Sequence, residues 1–167
     1  MLQLITHHSF DMKRILVLCT GNSARSQIAE GYLQTFAGDR AEVYSAGVAP
    51  HGVNPLAIQV MAEDGIDISR HTSNHVDEYT DKPFDYVITV CDNAREQCPL
   101  FPASAEKIHH SFPDPGLSAG TFATPENQSV QAVGAGDKLT SFYQVRDLIK
   151  AYSLAFVKSR LGEPILP

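Results

Sequence analysis

Short apolar runs alternate along the chain with longer segments of mixed hydrophobic and polar residues. Residues 14–19, RILVLC, form a partly β-branched apolar run, and the polar residues TGNS follow at 20–23. This pattern is typical of a buried parallel strand that ends in a tight loop. Similar runs predict further strands at 42–46, 84–91 and 107–110.

Helical spacing of apolar residues predicts helices between and after these strands. They lie at 26–36, after Asn54-Pro55, more weakly at 73–79, and at 141–161, where a glycine and a proline follow. An asparagine N-cap with proline at the first helical position is a common helix start. The apolar side chains expected to face the core are Ile28, Tyr32, Leu33 and Phe36 in the first helix, Leu56, Ile58, Val60, Met61 and Ile66 in the second, and Phe142, Val145, Leu148, Ile149, Tyr152, Phe156 and Val157 in the last.

Strands that alternate with helices predict an α/β fold in which helices cover both faces of a parallel sheet. Crossovers between parallel strands are right-handed, and a four-stranded, flavodoxin-like sheet of order 2-1-3-4 fits these elements. In such sheets, ligands bind beyond the carboxyl ends of the strands, at the switch point between the first and third strands. Because Cys19 ends the first strand and Cys91 ends the third, we expect both thiols at that crevice.

The length of 167 residues fits a single domain, which we place at 13–167. Residues 1–12 show no clear period, and Met12 resembles a second start, so we interpret this segment as an N-terminal extension. The segment 116–137 is rich in Gly, Ala, Ser and Thr and has no long period. We interpret it as a flexible insertion, either a mobile loop or a lid over the crevice.

Composition narrows the classes of function. The formal net charge of −6 argues against a nucleic-acid partner, although it does not bear on a small anion, which responds to the local field. No run approaches the roughly 18 apolar residues of a membrane span, and no basic region followed by an apolar run opens the chain. We therefore expect a cytoplasmic protein with no membrane partner. Three cysteines are an odd number, which indicates thiols used in chemistry or buried singly.

The segment 19–26, CTGNSARS, joins the first strand to the first helix and carries the most informative pattern. Backbone N–H groups at a helix N-terminus attract anions, and Gly21 and Asn22 tolerate the left-handed backbone of an anion-binding nest. Arg25 can grip two oxygens of a tetrahedral oxyanion, and the same positive environment should lower the pKa of Cys19. The residues expected to bind the anion are Thr20, Gly21, Asn22, Ser23, Ala24 and Arg25, and Ser26 is expected to donate a hydrogen bond to the Cys19 sulfur.

Cys91 and Cys98 are separated by six residues, too many for a Cys-x-x-Cys redox or zinc motif. Cys91 and Cys98 can act as a redox pair. One alternative is that they bind zinc together with His109 and His110, and the other is that both are buried thiols without a chemical role. The intervening residues indicate an exposed and movable segment, and its arginine can favour a thiolate. The polar residues concerned are Asp92, Asn93, Arg95 and Glu96.

Asp114 lies between two prolines after the fourth strand. Asp-Pro pairs are common in turns, so a plain turn is one interpretation. The other is a general acid, because a carboxyl group beside a bound anion favours its protonated form.

Several motifs together resemble a known family. The segment CTGNSARSQIAEG at 19–31 resembles the phosphate-binding loop of the low-molecular-weight tyrosine phosphatase fold, and more closely that of the thioredoxin-coupled arsenate reductases. Three further segments are similar to the reductases in the same order: VYSAGVAPHGVNPLAI at 43–58, DGIDISRHTS at 64–73 and VITVCDNAREQCP at 87–99. The resemblance covers most of 14–115 and the C-terminal helix.

The resemblance implies that arsenate enters the loop as a mimic of phosphate, and that phosphate or sulfate can take the same place. Cys19 then attacks arsenic, Cys91 attacks Cys19 as arsenite leaves, and Cys98 attacks Cys91 to free Cys19. Asp114 is the implied acid for the leaving oxygen. Thioredoxin, or a similar thiol reductant, is the implied electron donor, and no tightly bound cofactor is implied.

The implied relay predicts a motion of the segment between its second and third thiols. A Cys91–Cys98 disulfide requires Cα atoms within about 7 Å, whereas a helix across the segment would hold them about 10 Å apart. We therefore predict a helical turn between Asp92 and Cys98 in the reduced protein, and its loss on oxidation.

The chain departs from the family pattern at two places. Some reductases bind potassium through residues that match Asn22, Glu30, Ser45 and an aspartate where this chain has Asn74, so we expect a weak or absent potassium site. Tyrosine phosphatases of this fold typically carry aromatic residues after the Asp-Pro pair, whereas residues 116–118 are Gly-Leu-Ser. This difference weighs against an aryl phosphate substrate.

Two alternative functions stay open beside the reductase. One is a low-molecular-weight phosphatase that hydrolyses phosphomonoesters through a cysteinyl-phosphate on Cys19. The other is a non-enzymatic redox-sensing or oxyanion-binding module with Cys91 and Cys98 as its switch. Because a sensor needs no acid for a leaving group, Arg25 and Asp114 argue against that module.

Overall fold

The computed structural model describes residues 11–99, 101–102, 104–116 and 137–167 of the chain. The predicted extension at 1–12 lies outside the described residues except for its last two positions. The predicted insertion at 116–137 lies outside them except for its first and last positions.

Four parallel strands form one sheet in the order β2-β1-β3-β4, which confirms the predicted topology. The strands are β1 (Lys13–Cys19), β2 (Ala41–Gly47), β3 (Tyr86–Thr89) and β4 (Glu106–His109).

Strand β3 is shorter than the predicted strand at 84–91 because its flanking residues have other partners. The ring of Phe84 packs edge-on against Tyr44 and Phe101, with ring centroids 5.8 and 6.2 Å away. Cys91 caps the helix that follows, and its sulfur accepts a hydrogen bond from the N–H of Ala94 at 3.4 Å. Cys91 therefore lies in the loop at the carboxyl edge of the sheet.

Four α-helices accompany the sheet within the described residues: α1 (Arg25–Ala37), α2 (Pro55–Glu63), α3 (Asp92–Glu96) and α4 (Asp137–Arg160). The predicted start of α2 is confirmed, since the Asn54 side chain accepts a hydrogen bond from the N–H of Leu56 at 2.8 Å. The weak helix predicted at 73–79 is a short 3₁₀ turn at Val76–Tyr79, and another at Gly38–Arg40 follows α1. None of the described helices is both long and apolar enough to cross a membrane.

The hydrophobic core lies between the sheet, α1 and α4, which packs against α1 and α2. The predicted apolar face of α1 is confirmed, because all four of its side chains are buried. The prediction for Leu148 in α4 is wrong: it is 49% exposed, since it flanks the stripe formed by Val145, Ile149 and Phe156 instead of lying on it. Ile66 is buried as expected, but in the loop after α2.

The parallel register brings the two thiol-bearing strand ends side by side. Leu18 of β1 is paired with Thr89 of β3, and the N–H of Val90 donates to the carbonyl of Leu18 at 2.9 Å. On the other side, Cys19 is paired with Gly47 of β2. The loops after β1 and β3 therefore leave the same edge of the sheet, at the predicted switch point.

Candidate active site

In the loop between β1 and α1, the backbone carbonyl groups accept hydrogen bonds from residues that follow the loop. The oxygens of residues 20–24 accept hydrogen bonds from the N–H groups of Ala49, His51, Asn54 and Ile28 and the side-chain amide of Gln27. Within the described residues, none of the N–H groups of 21–24 takes part in a backbone hydrogen bond. The N–H groups of residues 21, 23 and 24 are therefore left for an anion, beside the N-terminus of α1, whereas the N–H of Asn22 faces the Cys19 sulfur.

Asn22 fixes the shape of this anion-binding loop. Its φ of 45° is the left-handed conformation that the sequence predicts, and its side chain is fully buried. The side-chain Nδ2 donates to Ser26 Oγ at 2.8 Å and Ser45 Oγ at 2.9 Å, and Oδ1 accepts from the N–H of Asn74 at 2.8 Å. One amide thus joins the loop, α1, β2 and the segment before Val76, which holds the loop rigid.

Gly21 allows the close approach of another residue. Of the two residues that tolerate left-handed backbone, only Asn22 adopts it. A Cβ atom at Gly21 would lie 2.1 Å from Nε2 of His51. Gly47 has a similar role at the end of β2, because a Cβ there would lie 2.5 Å from the carbonyl oxygen of Thr20.

The predicted partner of Ser26 is wrong. Its buried hydroxyl accepts a hydrogen bond from Asn22, and the described residues include no hydrogen bond between Ser26 and the Cys19 sulfur. Ser26 therefore supports the loop rather than the thiol directly.

Arg25, the first residue of α1, spans the mouth of the crevice. Its NH1 donates to the carbonyl of Phe112 at 3.1 Å, and its NH2 lies 3.5 Å from Oδ2 of Asp114. Only 13% of the Arg25 side chain is exposed, so its guanidinium is held in place. The N–H of Gly116 donates to Asp114 Oδ1 at 2.9 Å. The structure thus brings the predicted acid to the same crevice as Cys19, facing the arginine.

The crevice is a cavity of about 370 Å³. Cys19, the loop residues 20, 21 and 23–25, and Asp114 line it. Asn22 and Cys91, which were also expected at the crevice, are not among the lining residues. His51, Asn54 and Phe142 also line it, and the sequence reasoning did not assign them there. His51 and Asn54 follow β2, so the rule that ligands bind beyond the carboxyl ends of strands could have identified them. Phe142 of α4 carries no comparable sequence signal.

Cys19 and Cys91 lie close enough to shift each other's pKa. Cys91 raises the pKa of Cys19, and burial raises it further, although Arg25 and the N–H of Asn22 lower it. Cys19 is in turn the largest cause of the lowered pKa of Cys91, about 5. The two thiols therefore titrate as one pair that shares a single negative charge, and the low pKa expected for Cys19 belongs to the pair rather than to Cys19 alone.

Cys91 is further stabilised as a thiolate by two donors. Thr20 Oγ1 lies 3.3 Å from its sulfur and itself accepts a hydrogen bond from Asn93 Nδ2 at 3.0 Å, so the threonine hydroxyl proton can point at the sulfur. The N–H of Ala94 in the first turn of α3 donates to the same sulfur. Both contacts lower the pKa of Cys91. The anion-binding loop and α3 therefore meet at this thiol.

Cys98 lies beyond the end of α3 and is partly buried. Its thiol donates to the carbonyl of Pro99 at 3.5 Å, and burial raises the pKa of the thiol. All three cysteines are free in this structure. The predicted helical turn between Asp92 and Cys98 is confirmed, because α3 spans Asp92–Glu96 and Gln97 ends it.

The residues considered for potassium lie together and are hydrogen-bonded to one another or to their neighbours. Asn22 Oδ1 accepts from Asn74, and Ser45 Oγ accepts from Asn22 while donating to Glu30 at 2.5 Å. Asn74 turns its carboxamide to Thr72. Burial raises the pKa of Glu30, which disfavours its carboxylate form.

The zinc alternative has no support in the described part of the chain. No three or more His, Cys, Asp or Glu residues lie together there as metal ligands. His109 instead bonds to Thr89 and Asp92.

A thiol pair beneath an anion-binding loop, at the switch point of a parallel sheet, defines a cysteine-dependent enzyme for an oxyanion substrate. The chain belongs to the low molecular weight phosphotyrosine protein phosphatase family, whose model matches residues 14–159. The predicted family and fold are thereby confirmed.

Within this family, the chain is similar to arsenate reductases. Arsenate reductase 2 of Staphylococcus epidermidis is 44% identical over 140 residues, which are 84% of this chain and 92% of the relative. A solved arsenate reductase in the phosphate binding state has a TM-score of 0.63 and 28% identity, covering 89% of this chain and 98% of that one. A thioredoxin-dependent arsenate reductase of Corynebacterium glutamicum shares the fold at a TM-score of 0.64 and 24% identity, over 89% of this chain and 61% of that one.

Proposed function

We propose that the protein is an arsenate reductase that uses Cys19, Cys91 and Cys98 in turn. The observation that carries the proposal is the position of Cys91 beside Cys19. The two thiols lie close enough to shift each other's pKa, and the Cys91 sulfur is 3.3 Å from Oγ1 of Thr20, the residue after Cys19. Hydrolysis of a phosphomonoester needs one nucleophilic thiol, whereas a second thiol in contact with the first can complete a disulfide. The similarity to relatives named arsenate reductase supports the same substrate.

Arsenate binds with its oxygens against the free N–H groups of the loop and the guanidinium of Arg25. The anion competes with Asp114 for the second nitrogen of Arg25, because that contact is 3.5 Å long and partly exposed. Asp114 is then free to face the oxygen that leaves. The same donors accept phosphate or sulfate, which have the same tetrahedral shape.

In the first step, the Cys19 proton passes to Cys91, and the negative charge of the pair moves to Cys19. The Cys19 thiolate attacks arsenic, which forms an S–As bond. Asp114 gives a proton to the departing oxygen, which leaves as water. The anion's oxygens stay in the loop, so arsenic remains next to Cys91.

In the second step, Cys91 gives the proton it holds to an oxygen of the arsenic group, and the resulting Cys91 thiolate attacks the Cys19 sulfur. An S–S bond forms, the S–As bond breaks, and its electron pair stays on arsenic, so that As(V) leaves as arsenite. The Cys98 thiolate then attacks Cys91, which forms Cys91–Cys98 and releases Cys19 as a thiolate. Two thiols are thereby oxidised for the two electrons that arsenic gains.

The Cys91–Cys98 disulfide must be reduced before the next cycle. We assign this step to thioredoxin or a similar dithiol, which takes up the disulfide in exchange for its own two thiols. The naming of a structural neighbour as thioredoxin-dependent supports this donor. A relay of free thiols requires a reducing compartment, so we place the protein in the cytoplasm.

The test is arsenite production with a thioredoxin system, run beside aryl phosphate hydrolysis. Cys91→Ser should abolish arsenate turnover and spare any aryl phosphatase activity, while Asp114→Asn should slow both by about 10²–10⁴-fold. Cys98→Ser should release one arsenite per enzyme and then stall as Cys19–Cys91. Replacing thioredoxin with a glutathione and glutaredoxin system identifies the donor.

Normal arsenate turnover by Cys91→Ser would contradict the relay and make Cys91 a packing residue. Efficient aryl phosphate hydrolysis without arsenite production by the unaltered protein would favour the phosphatase instead.

A further inference from the structure

The first residue of α3 is tied to the sheet by a histidine. His109, at the end of β4, places its Nε2 at 2.9 Å from Oδ1 of Asp92. Its other ring nitrogen, Nδ1, lies 2.7 Å from Oγ1 of Thr89. Thr89 is only 6% exposed and is paired with His109 in the parallel register of β3 and β4. The imidazole is therefore anchored to the sheet through Nδ1, while Nε2 contacts the first residue of α3.

The two residues of the contact between His109 and Asp92 differ in exposure and in the elements that carry them. Three-quarters of the Asp92 side chain is exposed, at 75%, whereas His109 is 24% exposed. Asp92 lies next to Cys91 in α3, the helix that separates Cys91 from Cys98, and the Cα atoms of the two cysteines must come within about 7 Å to bond. His109 and Thr89 belong to β4 and β3, and formation of the Cys91–Cys98 disulfide does not require either strand to move.

We propose that His109 is a positioning residue that holds α3 folded through Asp92 and thereby sets the equilibrium between the dithiol and the Cys91–Cys98 disulfide. This inference rests on the proposed relay. The contact exists when α3 is helical, and unwinding of its first turn carries Asp92 away from the imidazole. The contact therefore stabilises the reduced protein and not the oxidised one. Without it, disulfide formation becomes more favourable, and the reduction by a dithiol donor becomes less favourable.

The experiment measures the equilibrium of the Cys91–Cys98 disulfide in glutathione buffers, in a Cys19→Ser background that leaves only these two thiols. Oxidation releases two protons and passes two electrons to glutathione disulfide. Asp92→Asn and His109→Phe should each raise the equilibrium constant for disulfide formation about three- to tenfold, the scale of one partly exposed charge-assisted hydrogen bond. In the double variant the two effects should not add, because both remove one contact.

A control comes from the same strand. Glu106→Gln removes the contact between Glu106 and Arg160, 2.5 Å long and exposed, at the other end of β4. It should leave the disulfide equilibrium unchanged.

Hydrogen exchange in the reduced variants gives a second measurement that does not require the disulfide. The N–H groups of Arg95 and Gln97 donate within α3 at 3.1 and 3.0 Å, and Asp92→Asn and His109→Phe should speed their exchange by the same three- to tenfold.

If the disulfide equilibrium constants of these two variants equal that of Glu106→Gln, the role of His109 is overturned while the relay stands. If no Cys91–Cys98 disulfide forms in the parent protein, the relay and the redox role of His109 are both overturned.

Discussion

At the scale of single residues, the distribution of one negative charge between Cys19 and Cys91 is the property most open to test. Titration of thiolate ultraviolet absorbance in Cys98→Ser should show one thiol ionising near pH 5 and the other above its ordinary value of 9.0. Cys91→Ser should lower the pKa of Cys19, because the largest cause of its elevation is gone. Cys19→Ser should raise the pKa of Cys91 from about 5 towards 9.0.

The same charge makes the stability of the reduced protein depend on pH. Between pH 5 and 9 the unfolded chain keeps a proton on Cys91 that the folded chain has lost, so the free energy of unfolding should rise with pH. Above pH 9 it should fall again, because unfolded Cys19 ionises before folded Cys19. A Cys91→Ser protein is the control, and it should lack the rise. Two independent thiols that both titrate near 9.0 would contradict the shared charge.

Sequence patterns located most of these residues but not the contacts between them. Cys19, Arg25 and Asp114 were placed in one crevice by motif and by position after strands. The closeness of the Cys19 and Cys91 thiols, and the bond of Ser26 to Asn22 rather than to the thiol, depend on side-chain directions that no spacing encodes. The helix N-terminus and Arg25 predict a lowered pKa for Cys19, whereas the neighbouring thiol and burial raise it.

At the scale of elements, α3 is the part of the chain whose structure the proposed relay makes dependent on redox state. In the reduced protein the N–H groups of Arg95 and Gln97 are hydrogen-bonded within the helix, so their exchange should be slow. When Cys91–Cys98 forms, both should exchange as freely as in an unstructured loop. Ile28, whose N–H donates to Ala24 at the start of α1, is the internal reference and should not change. Equal protection of α3 in both redox states would contradict the unwinding.

The elements themselves were largely predictable because their periodicity is local. The order of the strands followed from the alternation of strands and helices, and α2 began at the predicted asparagine. Errors arose where tertiary packing competes with local pattern. Phe84 joins an aromatic cluster instead of extending β3, and Leu148 continues a helical pattern that the neighbouring helices do not cover.

At the scale of the whole molecule, the crevice is closed by an element far from the loop in sequence. Phe142 of α4 is 1% exposed and lines the cavity together with residues from the loops after β1 and β2. α4 also forms much of the packing against α1, whose first residue is Arg25. The docking of one helix therefore serves both the stability of the core and the shape of the site.

This double role predicts a separation between two matched core substitutions. Phe142→Leu and Phe36→Leu each shorten a buried aromatic side chain, at 1% and 0% exposure, and each should lower the free energy of unfolding by about 1 kcal/mol. Only Phe142 lines the crevice, so only Phe142→Leu should raise the KM for arsenate, by roughly two- to fivefold, since small displacements in a binding site weaken positioning. Denaturant unfolding and steady-state kinetics on both variants measure the two effects. An equal change in KM for both would mean that the crevice responds to overall stability and that Phe142 has no particular part in it.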